Sequence, residues 1–278
     1  MMQVYLGGTR VLYSRDYNLG LTEQEKEQYK IVTGREFMEK RTSGFGRVNN
    51  PAKYPKAARL CRTLFPNNFL DFIDLRNSDD IANRNRQFLN HLNTCKNERE
   101  ILNYIKETEN YHIIGSLLHG MSLRIGHHGA FLFPEFQLSN KYQVDYLLLG
   151  KSSGGYEFVL VELENPYGNI MLKDGNLGAE FRDGISQIDE WKRWLQNNYT
   201  SFSETFKKYK NKEFDLPDEF YTLDLSRFHY VVIAGRRKDF TKLTYTITRE
   251  KKKTDDITLL HYDNLCDFSN LLIDKVTY

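Results

Sequence analysis

Between residues 142 and 165 the chain reads YQVDYLLLGKSSGGYEFVLVELEN, which sets Asp145, Glu162 and Glu164 in two β-rich runs joined by a turn-forming KSSGG. Side chains alternate along a strand, so Glu162 and Glu164 share a face with Phe158 and Leu160, while Asp145 shares one with Leu147 and Leu149. A turn centred on Ser153-Gly154 sets Asp145 opposite Glu162, and a slip of two residues sets it opposite Leu160 or Glu164. In each of these registers the three acids lie on one face. Carboxylates so close repel one another and resist desolvation, and a divalent cation held through oxygen ligands offsets that charge. Apart from its acids the hairpin is almost wholly apolar, as a central strand buried on both sides would be. The chemistry such a site supports is metal-assisted cleavage of phosphodiester bonds.

Downstream, Gln187-Ile-Asp-Glu-Trp191 lies in a segment (176–197) whose apolar positions Leu177, Phe181, Ile185, Ile188, Trp191, Trp194 and Leu195 recur at helical spacing. Gln187 and Trp191 fall one turn apart on a face that also holds Asp183, Gly184 and Trp194. A glutamine there can orient a carboxylate or a water without adding charge. The elements that must position these groups are read as a helical stretch (97–118), strands at 131–138, 142–149 and 156–163, the long helix, and strands at 228–235 and 257–262 before a short closing helix around 265–272. Pro134 marks the first strand as an edge or bulged one, and the polar stretch 199–226 reads as an insertion. The order α, β, β, β, α, β predicts an α/β domain with a mixed central sheet flanked by helices, not a doubly wound βαβ repeat. Residues 1–85 read as an N-terminal accessory or regulatory region and 86–278 as the main domain.

The chain has 278 residues, and no apolar run approaches the roughly 18 residues of a membrane span. No signal peptide is recognisable, and Cys61, Cys95 and Cys266 form no CxxC pair, so reduced thiols and a cytoplasmic location without membrane contact are expected. The net charge of +2 conceals a basic stretch: nine Lys and Arg residues between Lys30 and Arg62 face only Glu36 and Glu39, with Tyr29, Phe37, Phe45 and Tyr54 interleaved. That mixture suits a phosphate backbone as well as a solvated surface. Other motifs lack the partners their chemistry needs. His112, His119, His127 and His128 have no completing zinc ligands, GNLGAEFRDG lacks the GK[ST] ending of a phosphate loop, and Ser152-Ser153 sits in a turn with no nucleophile elbow.

Asp145, Glu162-Leu-Glu164 and Gln187-xxx-Trp191, in that order, resemble the PD-(D/E)XK nuclease superfamily. More narrowly, PEFQLSNKYQVDYLLL, FVLVELENP, GISQIDEWKRWL, VVIAGRR and ITLLHYDNL resemble the Shedu-type anti-phage nuclease domain over about residues 95–275. The resemblance implies a PD-(D/E)XK-like core and a metal-dependent DNA endonuclease of prokaryotic defence, often a homo-oligomer. It implies Asp145 and Glu162 as metal-binding acids, joined by the Leu163 carbonyl and Glu164, around Mg²⁺ or Mn²⁺, with Gln187 in the QxxxY-like motif and Trp191 in place of its tyrosine. Either Glu98 or Glu100 would match an acid on the first core helix. Glu164 stands where most members carry lysine, and Lys151, Lys173, Lys192, Arg236 or Arg237 would have to supply the missing positive charge. The alternative reading is a catalytically silent nuclease fold that binds nucleic acid or a partner protein.

Overall fold

The computed structural model describes residues 63–278 apart from Ile73, Ser122 and Arg124, together with Glu27, residues 30–32 and Gly34. The Lys and Arg residues of the basic stretch 30–62 therefore lie, but for Lys30, outside the described residues. The chain divides into two compact units, Met1–Phe69 with Glu204–Pro217, and Leu70–Ser203 with Asp218–Tyr278. The carboxylate hairpin and Gln187 belong to the second.

That unit is built on a five-stranded mixed sheet in sequential order. Strands β1 (Gly129–Gln137), β2 (Gln143–Ser152) and β3 (Gly155–Leu163) form an antiparallel meander, and β4 (Phe228–Ile233) and β5 (Ile257–Leu260) add to β3 in parallel. The α-helices described with it are α1 (Ser78–Leu92), α2 (Glu98–Glu107), α3 (His112–Gly115), α4 (Leu117–Gly120), α5 (Ala179–Tyr209), α6 (Lys242–Asp255) and α7 (Tyr262–Leu271). The mixed α/β architecture is the one expected.

Three differences have local causes. Helix α5 does not stop near 197: after a non-helical Asn198 (φ −135°, ψ 29°) it continues to Tyr209, because Phe202 and Phe206 are fully buried. Helix α6, absent from the sequence reading, makes the crossover from β4 to β5; Thr241 caps its N-terminus by accepting the Thr244 N–H at 3.2 Å. Strand β1 is an edge strand carrying Pro134 opposite Tyr146, but the pairing register runs past the proline unchanged. The break comes one residue later, at Glu135, which takes a left-handed φ of +49°. Alternation is interrupted there, so the rings of Phe133 and Phe136 meet at 5.7 Å and Phe136 reaches Phe202 of α5 at 5.9 Å.

Helix α5 covers the sheet face that carries Phe158 and the acids, and Gly184 sets how close it comes. A Cβ there would lie 2.5 Å from Val232 Cγ1 and 3.2 Å from Glu164 Oε1. Gly184→Ala is expected to lower the urea midpoint, since overpacking of about 1–3 kcal/mol exceeds the ~1 kcal/mol of helix propensity gained. A midpoint unchanged or raised would show that α5 is not held by this contact.

Candidate active site

The β2–β3 ladder runs from Ser152–Gly155 to Tyr146–Val161, with Ser153-Gly154 as the turn. One step further along this register brings Asp145 opposite Glu162, one of the alternatives left open by the sequence. The strands then part, and the Leu163 N–H donates to Asp145 Oδ2 at 2.9 Å. On the other side β3 stays fixed: the Glu164 N–H donates to the Ile233 carbonyl at 2.9 Å, and the hydroxyl of fully buried Tyr262 donates to the Glu164 carbonyl at 2.7 Å. The backbone carrying Glu162 and Glu164 is thus clamped between β2 and β4.

The electrostatics follow from burial. Glu162 is only 7% exposed, and its Oε2 has no hydrogen-bond partner among the described residues. Desolvation first, then the charges of Asp145 and Glu164, push its carboxyl well above the usual carboxylate range; the Asp145 backbone N–H and the Gln187 side chain pull the other way. Asp145 is pushed up to about 6, again chiefly by burial, against the Leu163 N–H and the charge of Arg99. Glu164 is pushed up to about 8 by burial, then by Glu180, Asp183, Asp145 and Glu98. An unpaired buried oxygen and acids that hold their protons mark a place short of positive charge.

Sequence reasoning left several contributors unnamed or unresolved. Asn97 caps α2 by accepting the Glu100 N–H at 3.0 Å, and Glu100 Oε2 accepts the Lys96 N–H at 2.9 Å. Glu100 is therefore a capping residue, and Glu98 is the acid of that turn whose charge reaches Asp145 and Glu164. Arg99 follows it, with an exposed side chain 3.8 Å from Glu135 Oε1. The same Glu135 meets Lys106 at 3.5 Å and, by the β1–β2 register, lies across from Asp145. No local pattern marks these residues, because they meet the acids only through the fold.

The cations named from the sequence are mostly committed elsewhere. Lys192 Nζ donates to the Asp255 carbonyl at 2.6 Å and sits over the Tyr230 ring. Lys151 lies over Tyr156 near the turn, at the opposite end of β2 from Asp145. Arg236 pairs with Asp263 at 2.8 Å, Arg237 pairs with Asp267, and Lys173 is exposed on the loop before α5. Arg99 is the cation whose charge acts on Asp145.

Gln187 also lines a cleft of about 320 Å³ with Lys141, Tyr142, Asp183, Glu190 and Trp191. The Trp191 ring is fully buried and its Nε1 has no hydrogen-bond partner among the described residues. The donor chemistry of Asp145, Glu162 and Glu164 fits a hard divalent cation, which would replace the protons these acids retain. As placed, no three His, Cys, Asp or Glu side chains among the described residues are grouped to hold one metal ion. A cation would have to draw Asp145, Glu162 and Glu164 together.

Residues 95–266 match the family model described as Shedu protein SduA, C-terminal, which is well over half of the chain. The chain belongs to this family. The Shedu match begins just ahead of Glu98 and takes in the three acids, Arg99, Gln187 and Trp191. A comparison with curated proteins finds no match. No helix among the described residues is long and apolar enough to cross a membrane.

The raised carboxyls make a stability prediction. Glu164 holds its proton more tightly folded than unfolded, so its contribution is complete at low pH and is lost as pH rises from its ordinary 4.5 through about 8. Without divalent ions, the thermal midpoint should fall across that window, and Glu164→Gln should flatten the fall. A variant that keeps the full slope would show that Glu164 does not titrate as described.

Proposed function

We propose that the chain is a Mg²⁺- or Mn²⁺-dependent endonuclease with a PD-(D/E)XK-like core that hydrolyses DNA phosphodiester bonds, serving prokaryotic anti-phage defence from the cytoplasm as a homo-oligomer. The observation that carries this reading is the buried facing of Asp145 and Glu162, with Glu164 two residues on, beneath Gln187 of α5. Family membership supports the defence role.

Asp145, Glu162, Glu164 and the Leu163 carbonyl would hold the cation. When bound, it supplies Lewis-acid chemistry, lowering the pKa of water and neutralising charge on the scissile phosphate. Glu164, two residues beyond Glu162 along the chain, accepts the proton of the attacking water. The Gln187 amide orients that water or the phosphate without adding charge. Arg99 offsets the negative charge that grows on phosphate as the fifth bond forms, the work a glutamate at 164 cannot do. Its ion pair with Glu135 is long and solvent-exposed, so releasing it costs little.

One observation favours the alternative, a silent fold that binds without cutting: among the described residues no three acids close on an ion as placed. A cleavage assay separates the two. Plasmid and linear DNA incubated with Mn²⁺ should be cut and chelator should stop it. Glu162→Gln should lose at least about 100-fold in rate with unchanged circular dichroism, and Arg99→Ala should lose ~10- to 100-fold, partly restored in Arg99→Lys. No Mn²⁺-dependent cutting by the unaltered protein would favour the silent fold.

A further inference from the structure

At the same end of the sheet as the acids, the loops after β3 and β4 enclose a second cleft, of about 560 Å³, lined by Asn93, Tyr167, Arg236, Arg237, Lys238 and Asp263. This volume lies within the roughly 300–1,000 Å³ of small-ligand sites. Its frame is rigid for a definite reason. Gly235, at φ +68°, turns the chain out of β4 and donates its N–H to the Asn165 carbonyl at 3.2 Å, while its own carbonyl accepts the Tyr262 N–H at 3.1 Å. The Arg236 guanidinium, 9% exposed, then ties three segments together: it donates to both Asp263 oxygens (3.1 and 2.8 Å), to the Leu92 carbonyl and the Tyr167 hydroxyl (3.3 and 3.2 Å), and to Asn93 Oδ1 (3.0 Å). The Tyr167 hydroxyl donates in turn to the Leu92 carbonyl at 2.5 Å.

The groups at the opening are not used up in this way. Tyr167 is held by its hydroxyl yet leaves 41% of its surface open. Lys238 makes no ion pair among the described residues; its Nζ stands 5.7 Å from the Tyr167 ring centre. Arg237 meets Asp267 only in an exposed pair. An anchored, solvent-facing aromatic ring beside exposed cations suits a ligand that joins a flat ring to a phosphate. Tyr167 follows Glu164 by three residues, at most about 11 Å of chain, or about three steps of a nucleic acid strand at ~3.4 Å each.

Resting on the nuclease reading above, we propose that this cleft holds one nucleotide of the DNA strand next to the cleavage point. Its phosphate lies against Lys238 and Arg237, and its base or sugar packs on the open face of Tyr167. Arg236 is a positioning residue that keeps the tyrosine in place. A free mononucleotide offers the same chemistry, so the test has an arm for each source.

Binding of a fluorescein-labelled 12-mer to the full chain, read by anisotropy in chelator so that nothing is cut, should weaken about fivefold or more in Lys238→Ala and in Tyr167→Ala. Tyr167→Phe keeps the ring but loses the hydroxyl that anchors it, and should bind more tightly than Tyr167→Ala and less tightly than the unaltered protein. Its thermal midpoint shows whether loss of the hydroxyl bond alone disturbs the fold. Full affinity in both alanine variants would overturn the proposal. So would dAMP binding that needs Lys238 and Tyr167 while 12-mer affinity does not. The nuclease reading fails separately: if the unaltered protein does not cut DNA with Mn²⁺ but 12-mer binding still depends on Lys238 and Tyr167, the cleft stands and the cleavage mechanism does not.

Discussion

Desolvated negative charge at one end of the sheet is the constraint around which the second unit is organised. Asp145, Glu162 and Glu164 are placed there by strand pairing, and each pays for its burial by holding its proton harder than it would in water. An amide or an apolar residue in place of one acid would relieve this, since an unpaired buried carboxylate is among the most costly groups to keep. Instead Glu98, Glu180 and Asp183 add further negative charge around Glu164. The compensation among the described residues is thin: one backbone N–H to Asp145, the Asp145 N–H and the Gln187 side chain toward Glu162, and Arg99 at the edge.

The scaffold is correspondingly stiff where the acids stand. Strand β3 is paired on both sides, α5 is brought onto it by Gly184, and buried Tyr262 fixes the Glu164 carbonyl. The more exposed charged groups lie at the rim. Arg99, Glu135 and Lys106 form an exposed ion-pair group, and Lys238 stands over Tyr167. A rigid floor of acids with exposed cations around it is what the proposed DNA substrate would need, being drawn toward negative charge and then held.

What the sequence disclosed and what it hid follow from the range of the interactions. The hairpin was legible because its face alternation and its turn are local, while the register that sets Asp145 opposite Glu162 was left open among three and is fixed by the strand ladder. Gln187 and Trp191 were legible because a helical face repeats within a few residues. Helix α6 was not: only Thr244 of its residues is buried, so KLTYTITREKKKTD carries almost no apolar stripe. The length of α5 was hidden by the polar residues around Phe202 and Phe206. Glu98, Arg99 and Glu135 reach the acids from a helix cap and a neighbouring strand, and nothing within one segment announces that.

Calorimetric titration of Mn²⁺ into the full chain at pH 7, repeated in buffers of different ionisation enthalpy, tests the central claim most directly. If Glu162 and Glu164 are protonated for want of a cation, binding must release protons, and Glu162→Gln must abolish or sharply weaken both the binding and the release. Binding that releases no protons, or binding that survives unchanged in Glu162→Gln, would contradict the account.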